Sequence, residues 1–109
     1  MTFDVRMSNT AGASDEWHAP FPGTDGAVAL AMCHVIIDRD MQDAEFIERW
    51  TNVTLDELRD HLRPYDPEWA ERVSGIAAED ISRIAMEFAA AAPAATTICN
   101  RGSSAHRNG

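Results

Sequence analysis

Pro22-Gly-Thr-Asp-Gly-Ala-Val-Ala-Leu-Ala-Met-Cys-His-Val-Ile-Ile37 is the stretch on which the fold turns. Thr24 and Asp25 are ordinary helix-start residues. The run they introduce, Gly26 to Ile37, is apolar on nearly every side. That pattern predicts a helix buried on most faces, so something large must cover it, and the amphipathic helices of the remaining chain can cover part of that surface at best. The mouth of the helix has a second reading. A helix N-terminus presents unpaired N–H groups and partial positive charge, suited to a phosphate or another polar ligand edge. Gly23 lets a ligand approach the backbone closely. On these residues alone, capping and binding both stand.

Upstream, Thr2-Phe-Asp-Val5 reads as the end of a strand, too short to build a sheet by itself. Arg6 to Gly23 is polar and turn-rich, closed by Trp17, Pro20 and Pro22, and reads as one long connection. Long structured connections in compact domains are usually functional. Downstream the signals are those of short amphipathic helices. Asp43 caps a helix carrying Phe46, Ile47 and Trp50. Thr54 and Glu57 form a capping box ahead of Leu55, Leu58 and Leu62. Asp66-Pro67 opens a further helix that Gly75 stops. Ile81, Ile84, Ala85 and Phe88 recur at helical spacing between Glu79 and Ala91, and Pro93 ends the run. Ala94 to Cys99 returns to strand-like composition, and Asn100 to Gly109 is a polar, glycine-bearing tail.

This order predicts an α/β chain, a partial Rossmann-like parallel-sheet domain with an inserted set of short helices. Residues 1–25 give a strand end and a ligand-binding loop, 26–92 a helical crossover, and 93–109 a strand and a loop near the ligand. The two strands are expected to be parallel neighbours or near neighbours.

With 109 residues and 45% hydrophobic content, the chain suits one globular domain. Its 18 acidic residues against 9 Lys and Arg give a net charge of −9, which argues against nucleic-acid backbones and anionic membrane surfaces. No secretory signal begins at Met1, and Ala27 to Ile37 is too short to span a bilayer, so no direct membrane insertion is expected. Cys33 and Cys99 stand far apart in apolar stretches without zinc or iron-sulfur spacing, and read as two buried free thiols.

Asp4 stands where a strand meets a loop, a place where an acidic residue accepts from ribose hydroxyls, or simply makes a turn. Arg6 suits a phosphate or Asp4. Arg101-Gly102 repeats the strand-end geometry at the other end of the chain. His106 has no carboxylate or nucleophile near it in sequence, so a solvent-facing histidine is favoured over a general base. His34 reads as a satisfied interior histidine, and His18 and His61 as isolated ones. Trp17, Trp50 and Trp69 read as packing anchors. Asn52-Val-Thr54 matches a glycosylation sequon, but Thr54 is better explained as a cap. No catalytic residue and no metal ligand is assigned.

Taken in order, Phe3-Asp-Val-Arg-Met-Ser-Asn-Thr10, Ala13-Ser-Asp-Glu-Trp17 and Pro22 to Met32 resemble the molybdopterin-bis(guanine dinucleotide) oxidoreductases of the dimethyl sulfoxide reductase superfamily. So do Val35-Ile-Ile37, Asp43 to Thr51, Tyr65-Asp-Pro-Glu-Trp-Ala70 and Ser74 to Ile81, while Asn100 to Gly109 looks most like the polysulfide, thiosulfate and tetrathionate reductase branch. Asp4-Val5-Arg6 departs from the family's usual Asp-Pro-Arg; valine keeps the amide that proline lacks.

The resemblance implies an internal segment of a much longer catalytic subunit that carries molybdenum, or tungsten, as bis(molybdopterin guanine dinucleotide). Asp4, Val5, Arg6, Gly23, Thr24 and Asp25 would hold one guanosine arm, with Arg101 and Gly102 nearer the pterin. A [4Fe-4S] cluster would belong to the parent and not to this segment. Partners would be the rest of the catalytic subunit, an iron-sulfur electron-transfer subunit and a membrane anchor, in a periplasmic or cytoplasmic membrane-associated complex. The parent would act on a sulfur oxyanion or similar inorganic substrate. Two other readings compete: a stand-alone acidic helical interaction module without cofactor, and a small hydrolase on Asp4, Asp25 and His106.

Overall fold

The computed structural model of the chain describes residues 1–98. It is mostly helical, with a two-stranded parallel sheet. In chain order the elements are β1 (Thr2–Phe3), α1 (Asn9–Gly12), β2 (Trp17–His18), α2 (Asp25–Asp38), α3 (Ala44–Trp50), α4 (Leu55–Leu62), α5 (Pro67–Ser74) and α6 (Ala78–Ala90).

The apolar stretch forms α2, and α4, α5 and α6 pack around it. Val28 and Ala31 of α2, Ala70 of α5, Ile76 and Ile81 make the central cluster, with Phe3, Met32 and Trp69 against it. Ala31 and Ala70 are fully buried; with only a methyl group each, they allow α2 and α5 to approach closely. Burial is one-sided, however. Ala27, Val28, Ala31, Val35 and Ile37 are inside while Ala29 and Cys33 are exposed, so the short helices cover only part of the apolar surface.

The helix signals work as read. Asp43 Oδ1 accepts from the Phe46 amide at 2.8 Å, and Asp66 Oδ1 from the Trp69 amide at 2.6 Å. Thr54 and Glu57 close a reciprocal capping box. Gly75 ends α5 in the left-handed region at φ 76°, where the Phe21 ring also lies so close that a Cβ would meet it at 2.8 Å.

The strands differ from expectation. β1 stops at Phe3 rather than Val5, and its parallel partner is β2, inside the stretch read as a single long connection. That connection also holds α1, capped by Ser8. Ala94 to Ile98 form no strand. A strand exists only through a neighbour that satisfies its amides; this segment has none among the described residues, and Ile98 is 95% exposed. The inserted helices are therefore present, but among the described residues no second strand follows them to complete a crossover from β1. Cys99 and everything after it lie outside the described residues.

Candidate functional site

Thr2 pairs with Trp17 and Phe3 with His18 in parallel register. The loop that leaves β1 through Asp4, Val5 and Arg6 and the loop that leaves β2 toward Gly23, Thr24 and Asp25 therefore emerge from the same edge of the ribbon. Carboxyl ends of parallel strands are where open sheets bind ligands. Two bonds tie the loops together: the Asp4 amide donates to the His18 carbonyl at 3.1 Å, and Trp17 Nε1 donates to the Asp4 carbonyl at 2.8 Å.

The Asp4 carboxylate is a turn-former. It accepts from the Arg6 amide (3.3 Å), and the nearby Ser8 hydroxyl first, with that amide, holds it below the usual carboxylate range. Ser8 in turn accepts from the Ala11 amide and caps α1. Val5 and Arg6 are exposed, and among the described residues the Arg6 guanidinium pairs with no carboxylate.

In the second loop, the Phe21 amide donates to the Ser74 carbonyl at 2.8 Å, which fastens the loop to the end of α5. Gly23 takes φ 81°, a conformation that a side chain would strain. Thr24 directs its hydroxyl back to the Phe21 carbonyl at 2.6 Å and makes no side-chain cap on α2. Among the described residues nothing accepts from the amides of Asp25 and Gly26, so two donors at the positive end of a 14-residue helix stay open. Asp25 is half-buried beside them.

The sequence reading missed Glu16, His18 and Arg83. Arg83 of α6 donates to Glu16 (Nη1–Oε2 3.3 Å, with a second, shorter Nη2–Oε1 bond), to Asp80 at 3.1 Å and to Glu87 at 3.2 Å. Glu16 Oε1 also bonds His18 Nε2 at 2.8 Å, and the His18 ring stacks on Phe3 with centroids 5.4 Å apart. Arg83 first, then His18, hold Glu16 below its usual range, and Glu16 first, with Asp80 and Glu87, holds Arg83 above its own. Asp80 and Glu87 are readable as helical neighbours of Arg83; Glu16, 67 residues away, is not. His18 is thus not isolated, and neither is His61, whose ring lies 5.7 Å from Tyr65.

His34 is satisfied, its Nδ1 bonded to the Leu62 carbonyl at 2.9 Å. Cys33 is exposed on α2, not buried as composition implied; partial desolvation by the surrounding protein still raises its thiol pKa. Trp69 packs as an anchor, whereas Trp50 stands 72% exposed. Arg101, Gly102 and His106 lie outside the described residues. Among the described residues no group of three or more His, Cys, Asp or Glu is placed to hold a metal ion, and no helix is long and apolar enough to cross a membrane.

No protein-family model matches the chain. It is similar to the thiosulfate reductase molybdopterin-containing subunit of Salmonella typhimurium, 44% identical over 93 residues, covering 85% of this chain and 12% of that protein. It is also similar to the arsenate respiratory reductase molybdopterin-containing subunit of Chrysiogenes arsenatis, 36% identical over 113 residues, with 84% and 13% covered. Among solved structures, acetylene hydratase from Pelobacter acetylenicus matches with a TM-score of 0.76 and 33% identity over 84% of this chain and 12% of that one. The chain thus spans about one-eighth of the length of these relatives.

Proposed function

Because this chain belongs to the molybdopterin-containing oxidoreductases of the dimethyl sulfoxide reductase family, we propose that it forms part of a catalytic subunit's grip on the guanine dinucleotide arm of a molybdenum or tungsten cofactor. The observation that carries this reading is the shared edge of the parallel ribbon, where the Asp4–Arg6 loop emerges alongside the loop that leads to the open N-terminus of α2.

The donor set suits the ligand. The open amides of Asp25 and Gly26 fit an oxyanion or carbonyl edge, and Arg6 fits a phosphate. The Asp25 carboxylate fits the paired N–H donors on the Watson–Crick edge of guanine. Gly23 leaves the backbone open to close approach. When bound, the cofactor supplies the metal and its redox chemistry, and the residues of this chain bind and orient its nucleotide end. The finer fold, a partial Rossmann-like sheet, belongs to the same proposal. So do a parent acting on a sulfur oxyanion or similar inorganic substrate, a [4Fe-4S] cluster elsewhere in the parent, and iron-sulfur and membrane-anchor partner subunits. Arg101 and Gly102 are proposed to lie toward the pterin.

A titration of the ¹⁵N-labelled chain with GDP, with ADP as control, tests the grip. The amides of Arg6, Asp25 and Gly26 are expected to shift saturably and to prefer GDP. Asp25→Ala should weaken that preference about tenfold, the usual consequence of losing a charged hydrogen-bond partner. Equal responses to both nucleotides, unaltered by Asp25→Ala, would remove the guanine reading and leave Asp25 as a helix-start residue. One observation favours the alternative of an acidic interaction module: α3 buries none of its residues and presents Phe46 and Trp50 to solvent.

A further inference from the structure

We propose that Arg83 is a positioning residue for the candidate site, acting through Glu16 and His18 to fix where the carboxyl ends of β1 and β2, and hence Asp4, are presented. The inference rests on the reading of that edge as a ligand site, but the tether itself is defined by geometry alone.

The links run in one chain. The Arg83 guanidinium holds Glu16, the Glu16 carboxylate holds His18, and His18 both stacks on Phe3 and accepts the Asp4 amide at its carbonyl. The Glu16 carbonyl also accepts the Thr2 amide at 2.8 Å, the first rung of the ribbon. Asp4 is closed from the other side by Trp17 Nε1. A merely helical role for Arg83 does not account for this set. Asp80 and Glu87, at i−3 and i+4, already give the guanidinium its partners on α6. A third carboxylate, from a distant loop, adds nothing the helix needs for its own pairing, and what it does supply is a link between α6 and that loop. What it tethers is a ribbon with two residues in each strand, too short to hold its own position. Apart from this tether, Phe3 is the ribbon's side chain in the helical core. With Arg83 and Glu16 each about one-third exposed, the tether is of moderate strength and open to measurement.

The test is hydrogen exchange by NMR on the 109-residue chain, read at the Trp17 indole N–H and the Asp4 amide, with Ala31 and Ala70 as internal controls. Arg83→Ala is expected to speed exchange at Trp17 and Asp4 about fivefold while leaving Ala31 and Ala70 unchanged, as for local opening after loss of a partly exposed ion-pair network. Arg83→Lys should recover part of the protection, since a single ammonium reaches fewer of the three carboxylates. Glu16→Gln is the milder variant should Arg83→Ala not fold, with the same sites affected. Unchanged exchange at Trp17 and Asp4, or exchange that rises in step with Ala31 and Ala70, would overturn the proposal and leave Arg83 as a general stabiliser. Repeating the GDP titration on Arg83→Ala separates the two readings. If the wild-type chain does not respond to GDP but the Trp17 and Asp4 effects hold, the guanine assignment fails and the tether stands.

Discussion

The stretch from Asp43 to Ala90, the helical half of the comparison, and the stretch from Met1 to Asp25, its ribbon half, are built by opposite means. In the first, each element carries its own instructions. Asp43, Thr54 and Asp66 cap helices that begin at the next residue, and Gly75 terminates one in the left-handed region. In the second, little is local. The strands are two residues each, their partner is another two-residue segment, and the ribbon is held by Phe3 in the helical core and by an arginine 67 residues away. The core forms where the capped helices pack on α2, and the candidate ligand edge resides in the tethered half. A site supported by long-range contacts can be adjusted without dismantling the core that bears it.

The sharpest way to break this comparison is to empty the core. Ile81 is fully buried on α6 and belongs to the central cluster that also receives Phe3. Ile81→Ala should cost about 2–5 kcal/mol, through lost transfer energy and the cavity left behind. For a domain of this size that corresponds to a fall in Tm on the order of 10–30 °C. Both halves should be lost together in a calorimetric melt. Survival of the helical half while the Trp17 indole signal disappears would mean that the ribbon is not anchored through this cluster.

How much was legible follows the same division. The residues of α2 announced a helix by composition, and the four downstream helices announced theirs by caps and spacing. The partial cover of α2 was legible as well, since the rest of the chain offers only amphipathic helices to lie against it; which face would stay open was not, because composition does not say where those helices dock. This also explains Cys33, which is apolar in its sequence context and exposed in the fold. Ala94 to Ile98 show the limit of β-propensity: threonine and isoleucine favour a strand only where a neighbour exists to receive their amides, and the two alanines do not favour one at all. β2 was hidden for the opposite reason, since two residues are too few to show an alternating pattern. At the candidate site, Asp4 and the Gly23–Asp25 turn were visible as residue types at an element boundary. Glu16 and Arg83 were not visible, because nothing local marks a pair so far apart.

A middle-sized effect sharpens the contrast between the two threonines that precede helices. Thr54 caps α4, accepting from the Glu57 amide at 3.2 Å, with Glu57 reaching back to the Thr54 amide at 2.8 Å. The Thr54 amide first, then its hydroxyl, donates to the Glu57 carboxylate and holds it below its usual range. Thr54→Ala should therefore cost about 1 kcal/mol, within the range for loss of a helix cap. Thr24 precedes α2 but bonds the Phe21 carbonyl instead. Thr24→Ala should cost less in a denaturant titration, yet alter the loop that leads to Asp25 and so the response to GDP. Equal costs at the two positions would mean that α2 is capped in solution by the hydroxyl that here turns away.

The smallest effect expected is at Trp50, although tryptophan is the largest side chain available to pack. α3 buries none of its residues, its main helical contact is α4, and the Trp50 side chain stands 72% exposed with Phe46 at 56% one turn earlier. Exposed positions remote from caps and buried networks usually shift stability by no more than about 0.5 kcal/mol when substituted. Trp50→Ala should accordingly leave the melting curve of the 109-residue chain nearly unchanged. Removing an exposed aromatic should also reduce any self-association the chain shows at high concentration, since apolar side chains grouped on one face are what copies of a protein find first. Sedimentation of wild type and variant at matched concentrations measures that second effect. A fall in stability of 2 kcal/mol or more, on the scale of a buried aromatic, would place Trp50 in the interior in solution, and the division between a self-sufficient helical half and a tethered site-bearing half would have to be redrawn around α3.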